Sequence, residues 1–190
     1  MEIVQLTAQN IMQGFAEIIS NKKECFVYGI PDNNYVFTGT TNMCNCEYCE
    51  EHGIRLLPIP NEGGVIVLSK GDVEIGIFKY NGWDVCKRFM ELLCEKLKER
   101  IPTIKVHGND LIIDDIYKCV GSSSRNLGDA KNPYLYTAAH ISLNVDLELI
   151  RHICKKPMNK IPKGLSEYGY TTEELERIIL EINEVIDNAS

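Results

Sequence analysis

The stretch from Val106 to Asp146 constrains this chain more than any other. It opens with Gly108-Asn109-Asp110, a turn that starts an apolar strand. It continues through Ile116-Tyr117-Lys118-Cys119-Val120-Gly121 into Ser122-Ser123-Ser124. A second β-rich run follows from Tyr134 to Val145, carries His140 and ends in Asn144-Val145-Asp146. Apolar and β-branched runs bounded by Gly, Asn, Asp and Ser read as strands of one sheet. Polar side chains collected on a sheet are suited to holding an anionic intermediate, so a functional site is expected here.

Around it, the pattern alternates short β-like runs with a few helices. Strands are expected at Glu2–Leu6, Cys25–Tyr28, Tyr35–Thr38, Ile54–Ile59, Thr103–Val106, Leu111–Asp114 and Ile116–Gly121. Val65–Ser69 and Val73–Tyr80 read as a hairpin around Lys70-Gly71-Asp72. Helices are expected at Ala8–Ile19 with Thr7 as cap, at Asn42–His52 ended by Gly53, and at Trp83–Arg100. Two more are expected at Leu147–Cys154 and at Thr172–Ile186, the last capped by Thr171 or Thr172. In Trp83–Arg100, Val85, Phe89, Leu92, Leu93 and Leu97 share one face. The fold class is therefore α+β: a mixed, largely antiparallel sheet with packed helices, in a single domain spanning residues 1–190.

A net charge of −7 with no basic stripe gives a nucleic-acid partner little electrostatic support. No apolar run is long enough to cross a bilayer, and the start carries no secretory signal, so a cytoplasmic protein with no membrane partner is expected. Eight cysteines in such a chain read as reduced thiols rather than as a disulfide framework.

Several residues can carry chemistry. Lys118, in the middle of an apolar strand, points to one face of the sheet; if that face lines a pocket, its ammonium can hold a carboxylate or phosphate. Gly121 lets the backbone approach a ligand, and Ser122 beside it supplies a hydroxyl. Asn109 and Asp110 either close a turn or present an amide and a carboxylate to a nucleotide phosphate and its magnesium ion. His140 gains interest from sharing a sheet with Lys118, and Gly63-Gly64 opens a strand where backbone amides can reach an anion. Cys44, Cys46, Cys49 and His52 have zinc-ligand composition, but their spacing also fits one stripe of a short helix and no second ligand pair follows. No metal is expected there.

At these residues the sequence resembles the lipoate-protein ligase family, within the wider biotin/lipoate ligase superfamily. The family's Gly-Arg-Asn-Asp-Leu strand corresponds to Gly108-Asn109-Asp110-Leu111 without the arginine, and its Lys-x-x-Gly-Ser/Asn turn to Lys118-Cys119-Val120-Gly121-Ser122. Its His-x-Thr-Leu-Leu-x-x-x-Asp strand corresponds to His140-Ile141-Ser142-Leu143-Asn144-Val145-Asp146. Upstream, Glu62-Gly63-Gly64-Val65 sits at the glycine-rich strand, and Gly71-Asp72 falls where the family has Gly-Asn. The likeness covers about residues 36–170.

The resemblance implies a biotin/lipoate ligase catalytic domain without the C-terminal accessory domain. It implies activation of lipoate or a related acyl acid by ATP and magnesium, then transfer to a lysine of a lipoyl acceptor domain. In that scheme Lys118 holds the carboxyl and α-phosphate oxygens, Asn109 and Asp110 take the magnesium and phosphate side, and Gly63 and Gly64 let the backbone pass close to the acyl-adenylate. Where the family has an arginine pair, this chain has Leu57-Pro58-Ile59-Pro60; Asn61 replaces the motif serine, and Leu68 and Ser69 replace a histidine and an aspartate. These changes remove positive charge from the phosphate region. They raise two alternatives: a non-catalytic ligand- or partner-binding protein on the same fold, and an ATP-independent acyltransferase working through Cys119 or Cys154.

Overall fold

A computed structural model describes residues 1–7, 10–39, 43–58 and 64–188. The elements run in chain order β1 (Glu2–Leu6), α1 (Ile11–Asn21), β2 (Cys25–Gly29), β3 (Tyr35–Thr38), α2 (Cys46–Glu51), β4 (Arg55–Pro58), β5 (Val65–Leu68) and β6 (Val73–Tyr80). They continue with α3 (Val85–Leu97), β7 (Lys105–His107), β8 (Asp110–Ile113), β9 (Tyr117–Asn126), β10 (Tyr134–Ile141), α4 (Leu147–Ile153), β11 (Ile161–Pro162) and α5 (Thr172–Asn188). A short 3-10 turn at Leu165–Tyr168 precedes α5.

The main sheet has the order β1-β2-β6-β10-β9-β8-β7, with β11 added beside β9; a smaller sheet has the order β4-β3-β5. Most pairs are antiparallel, while β1–β2, β3–β4 and β9–β11 are parallel. Strand alternation divides the side chains into layers. On one face of the main sheet Phe26, Ile75, Ile77 and Ile141 pack under α3 and α5, which contribute Phe89, Leu93, Leu97, Leu175 and Ile179. On the other face Val27, Phe78, Tyr134 and Tyr136 meet Phe15 of α1 and Phe37, Leu57 and Leu68 of the small sheet. The outer face of the small sheet is closed by Cys44, Cys49 and Ile153, the last from α4.

Local signals start and stop the helices. A reciprocal capping box opens α5: Glu174 N donates to Thr171 Oγ1 and Thr171 N donates to the Glu174 carboxylate. Thr172 instead donates its hydroxyl to Gly71 O. Asn45 caps α2 by accepting from Tyr48 N, which starts that helix later than the sequence pattern indicates. Helix α1 begins at Ile11 with Asn10 at its N-cap position; the Thr7 amide donates to Asn10 Oδ1, so Thr7 is not the cap.

The expected strands at residues 25–28 and 35–38 both form, the first in the main sheet and the second in the small one. Two sequence expectations are corrected by the pairing. The expected hairpin at Val65–Tyr80 is a corner: β5 lies in the small sheet and β6 in the main one. Asp72 makes that corner. Its buried carboxylate accepts from Ser69 N at 2.8 Å, Leu143 N at 2.7 Å and Asn144 N at 3.1 Å, pulling the turn onto the end of β10. Gly71, at φ 88°, is required there because a Cβ would lie 2.8 Å from Thr172 Oγ1. Finally, Ser122–Ser124 do not form a turn. They extend β9, pairing with Ala139, Ala138 and Thr137, and Ser124 and Thr137 share a hydroxyl hydrogen bond at 2.9 Å.

Asp72→Ala strands the buried backbone N–H groups of Ser69 and Leu143 and releases that of the exposed Asn144. It should lower the unfolding free energy by about 3 kcal/mol in urea titration; a loss below about 1 kcal/mol would show that the corner is held by other means.

Candidate functional site

A cavity of about 450 Å³ lies between the two sheets. Phe37, Val65 and Val67 of the small sheet, Tyr136 and Ala138 of β10 and Ile150 of α4 give it an apolar body. Asp110, Lys118, Glu74, His140 and Ser142 give it a polar end, whereas the Ser122 hydroxyl, expected there, turns away to Asn109 O and Cys86 Sγ of α3. An elongated acyl chain with a polar head suits such a lining.

Lys118 reaches this end because of a β-bulge. Leu111 pairs with Val120 and Ile112 pairs with Lys118, so Cys119 is an extra residue on β9. The bulge breaks the two-residue alternation and places Lys118 and Gly121 on the same face. A Cβ on Gly121 would lie 2.8 Å from both Cε and Nζ of Lys118, so the lysine lies over the space that glycine leaves. Asp110, which pairs with Gly121 across the strands, fixes the ammonium at 2.7 Å. The pair is partly exposed and open to the cavity.

Next to it lies a buried charge cluster. His140 Nδ1 contacts Glu74 Oε1, its Nε2 stands 3.0 Å from Ser142 Oγ, and Asp72 Oδ2 is 3.6 Å from Nε2. Burial disfavours the imidazolium, but the two carboxylates outweigh it, and the His140 pKa lies above its ordinary value. Burial likewise raises the carboxyls of Glu74 and Asp72, against the pull of His140. The three groups therefore depend on one another's charge.

Of the residues singled out from the sequence, Lys118, Asp110, Gly121, Ser122, His140 and Gly64 line this one cavity. Asn109 is exposed on the turn before β8, and its backbone carbonyl accepts from both the amide and the hydroxyl of Ser122. Gly63 lies outside the described residues. Glu74, Asp72 and Ser142 were not singled out. Within Val73–Phe78, Glu74 reads as an ordinary outward polar position, and the small sheet covering that face leaves no local trace.

The cysteines are placed otherwise than a nucleophile or a zinc site requires. Cys119 turns into the core and bonds Leu111 O, and burial pushes its thiol up to about 12, so a thiolate activated by Lys118 is not formed there. Cys154 touches the cavity, but burial raises its thiol also. Cys44 and Cys49 are small core residues with sulfurs 3.9 Å apart, while His52 is exposed and stacked on Tyr48. Among the described residues no three His, Cys, Asp or Glu side chains are grouped to hold a metal ion. No helix among them is long and apolar enough to cross a membrane.

No family model matches the chain, and no curated protein sequence does. Solved structures do. Lipoate-protein ligase A bound with ATP superposes at TM-score 0.72 with 13% identity, over 95% of this chain and 83% of the other. The bi-partite lipoate protein ligase of Thermoplasma acidophilum, studied with its E2 lipoyl domain, gives 0.73 and 14%, over 95% and 81%. The chain has the lipoate-protein ligase fold. P. falciparum LipL1, in complex with lipoate, also gives 0.73 at 16% identity; the match covers 99% of this chain but 60% of LipL1. Within the lipoate-protein ligase fold, β9 and β10 supply the polar end of the cavity and β5 and β3 supply part of its apolar wall.

The charge cluster has a pH signature. A histidine with a raised folded-state pKa contributes stability that is complete below its unfolded value, about 6.5, and is lost as pH rises through the folded value. The raised carboxyls of Glu74 and Asp72 act in the same direction at lower pH, since ionising them in the fold costs stability. Lys118 opposes the protonation of His140 and the two carboxylates favour it. Stability should therefore fall as pH rises above about 6.5, and Glu74→Gln should flatten that fall. Thermal unfolding across this range checks it, and a slope unchanged in Glu74→Gln would refute it.

Proposed function

We propose that this protein binds lipoate or a related acyl acid in the cavity and transfers the activated acyl group to a lysine of an acceptor protein. The observation that carries this reading is Lys118, fixed by Asp110 over Gly121 at the polar end of an apolar cavity. When the amine of an acceptor lysine attacks the carbonyl of the activated acyl group, negative charge develops on the carbonyl oxygen. An ammonium already held in place stabilises that charge without reorganising. As the tetrahedral centre collapses to the amide, the activating group leaves with its bonding electron pair and the amine gives up a proton to solvent. Asp110 keeps the ammonium in position between turnovers. The apolar body of the cavity holds the acyl chain, which aligns its carbonyl with the lysine.

ATP and magnesium would supply activation through an acyl-adenylate, and the residues at hand fit a triphosphate poorly. Among the described residues the cavity-lining Lys and Arg side chains are Lys118, already paired with Asp110, and Lys160, which donates to Asp115 O. Glu74 and Asp110 offset them in the same lining. Residues 59–63, Ile-Pro-Asn-Glu-Gly, contain no lysine or arginine. That balance suits one acyl head group better than three phosphates. The same observation favours a second reading, in which the chain binds an acyl compound without activating it. Pyrophosphate release on mixing ATP with lipoate or octanoate would rule that second reading out.

Lys118→Ala should leave the protein folded and lower acyl transfer to an acceptor domain by about a hundredfold or more. Gly121→Ala should act on the same group. Its methyl displaces the flexible end of Lys118 rather than backbone, so activity should drop by about tenfold with little loss of stability. Wild-type transfer rates in Lys118→Ala would remove the assignment.

A further inference from the structure

We propose that Ser142 is the second hydrogen-bond donor of the acyl site, holding the carbonyl oxygen of the bound acyl compound together with Lys118. This inference rests on the acyl-binding reading of the cavity and goes beyond it by naming what, besides Lys118, grips the head group.

The argument starts from Asp72. Three backbone N–H groups on its carboxylate favour the anionic form of Asp72 against its burial, and that carboxylate faces Nε2 of His140 at 3.6 Å. Glu74 occupies the other ring nitrogen. A histidine between two carboxylates carries a proton on each nitrogen, and its raised pKa agrees. His140 Nε2–H then donates to Ser142 Oγ at 3.0 Å.

That assignment decides the direction of the serine. Its oxygen is the acceptor, so its own proton must find another acceptor. Among the described residues none other than the His140 ring lies within hydrogen-bond reach of Oγ. Ser142 is buried, yet it lines the cavity. The free O–H is therefore available to a ligand there. Ser142 N donates to Cys119 O at 2.9 Å, which seats the serine across from the bulge and beside Lys118. An ammonium and a hydroxyl donor then converge on the polar end of the cavity, the arrangement a carbonyl oxygen needs as it gains charge.

Ser142, His140 and Glu74 also have the outline of a nucleophilic triad. The second carboxylate argues against that role, because a base that keeps its Nε2 proton cannot take one from serine. His140 is accordingly a positioning residue that sets the direction of the Ser142 proton.

Calorimetry of the full chain with octanoate and octanamide tests this, using Ser142→Thr and Ser142→Val, which match in shape and differ in the hydroxyl. The valine variant should bind both ligands about tenfold more weakly than the threonine variant, since both ligands carry the carbonyl oxygen. Lys118→Ala should weaken octanoate much more than octanamide. Ser142→Ala gives the same comparison with wild type if the valine variant fails to fold. Equal binding by the threonine and valine variants would overturn the proposal while leaving the acyl reading intact. A wild-type protein that binds neither ligand would overturn both. An ester adduct on Ser142 after incubation with an octanoyl thioester, seen by intact mass, would overturn the donor role in favour of a nucleophile.

Discussion

The carboxylate of Asp72 is the point on which the rest of this structure depends. It is almost wholly removed from water, and its two oxygens are shared among backbone donors of β5's end and β10's end. Through the same turn, Gly71 N donates to Pro31 O, Gly71 O receives the hydroxyl of Thr172, and Lys70 O receives the side chain of Asn144. The corner between the sheets, the end of the central strand and the start of α5 thus meet at one turn. A neutral side chain can accept some of these bonds, but a carboxylate accepts all three and also brings a fixed negative charge to His140. One residue therefore sets the junction of the sheets and adds its charge to the larger influence of Glu74 in favouring the His140 imidazolium.

A second device, the bulge at Cys119, works on the strand next door. It lets Cys119 and Val120 both turn into the core, so that the residues flanking them, Lys118 and Gly121, both turn to the cavity. In a regular strand, three residues apart, Lys118 and Gly121 would face opposite sides. Asp110 completes the arrangement by pairing with Gly121 in register, so its carboxylate and the ammonium meet without reaching. The polar end of the cavity is thus built from backbone geometry first and side-chain chemistry second.

Much of this was legible in the sequence, and the parts that were not share a cause. Helix α3 shows its buried stripe of Phe89, Leu93 and Leu97 as a 3.6-residue repeat, and the strands show their faces by alternation, because both patterns are local. Pairing is not local. Nothing within Val65–Tyr80 states that β5 and β6 part company, since the donors that bend the corner lie at Leu143 and Asn144. Ser122–Ser124 read as a turn because serine and glycine are common in turns; opposite Ala138 and Ala139 they are simply small strand residues. Lys118, Asp110 and His140 could be found as a set because family order brought them together. Glu74 and Ser142 could not, as each looks like an ordinary polar strand position until the covering sheet is in place.

Two of the departures from the lipoate-protein ligase pattern fall between the sheets. Leu57, standing within the stretch that replaces the arginine pair, and Leu68, standing for a histidine, are 3% and 2% exposed. Both pack with Phe37, Phe78 and Tyr136 between the sheets. A charged group at either position would be desolvated against that aromatic surface at a cost of several kcal/mol, about the order of a whole domain's margin of stability. Leu57 and Leu68 make this face of the small sheet part of the core, and the aromatic stack of Phe15, Phe78 and Tyr136 consolidates it. On the main sheet, the lysine, glycine and histidine of β9 and β10 are held by Asp110, Glu74 and Asp72. The apolar packing around Leu57 and Leu68 lies beside the cavity rather than in its lining, and the polar centre around Lys118 is built on the main sheet.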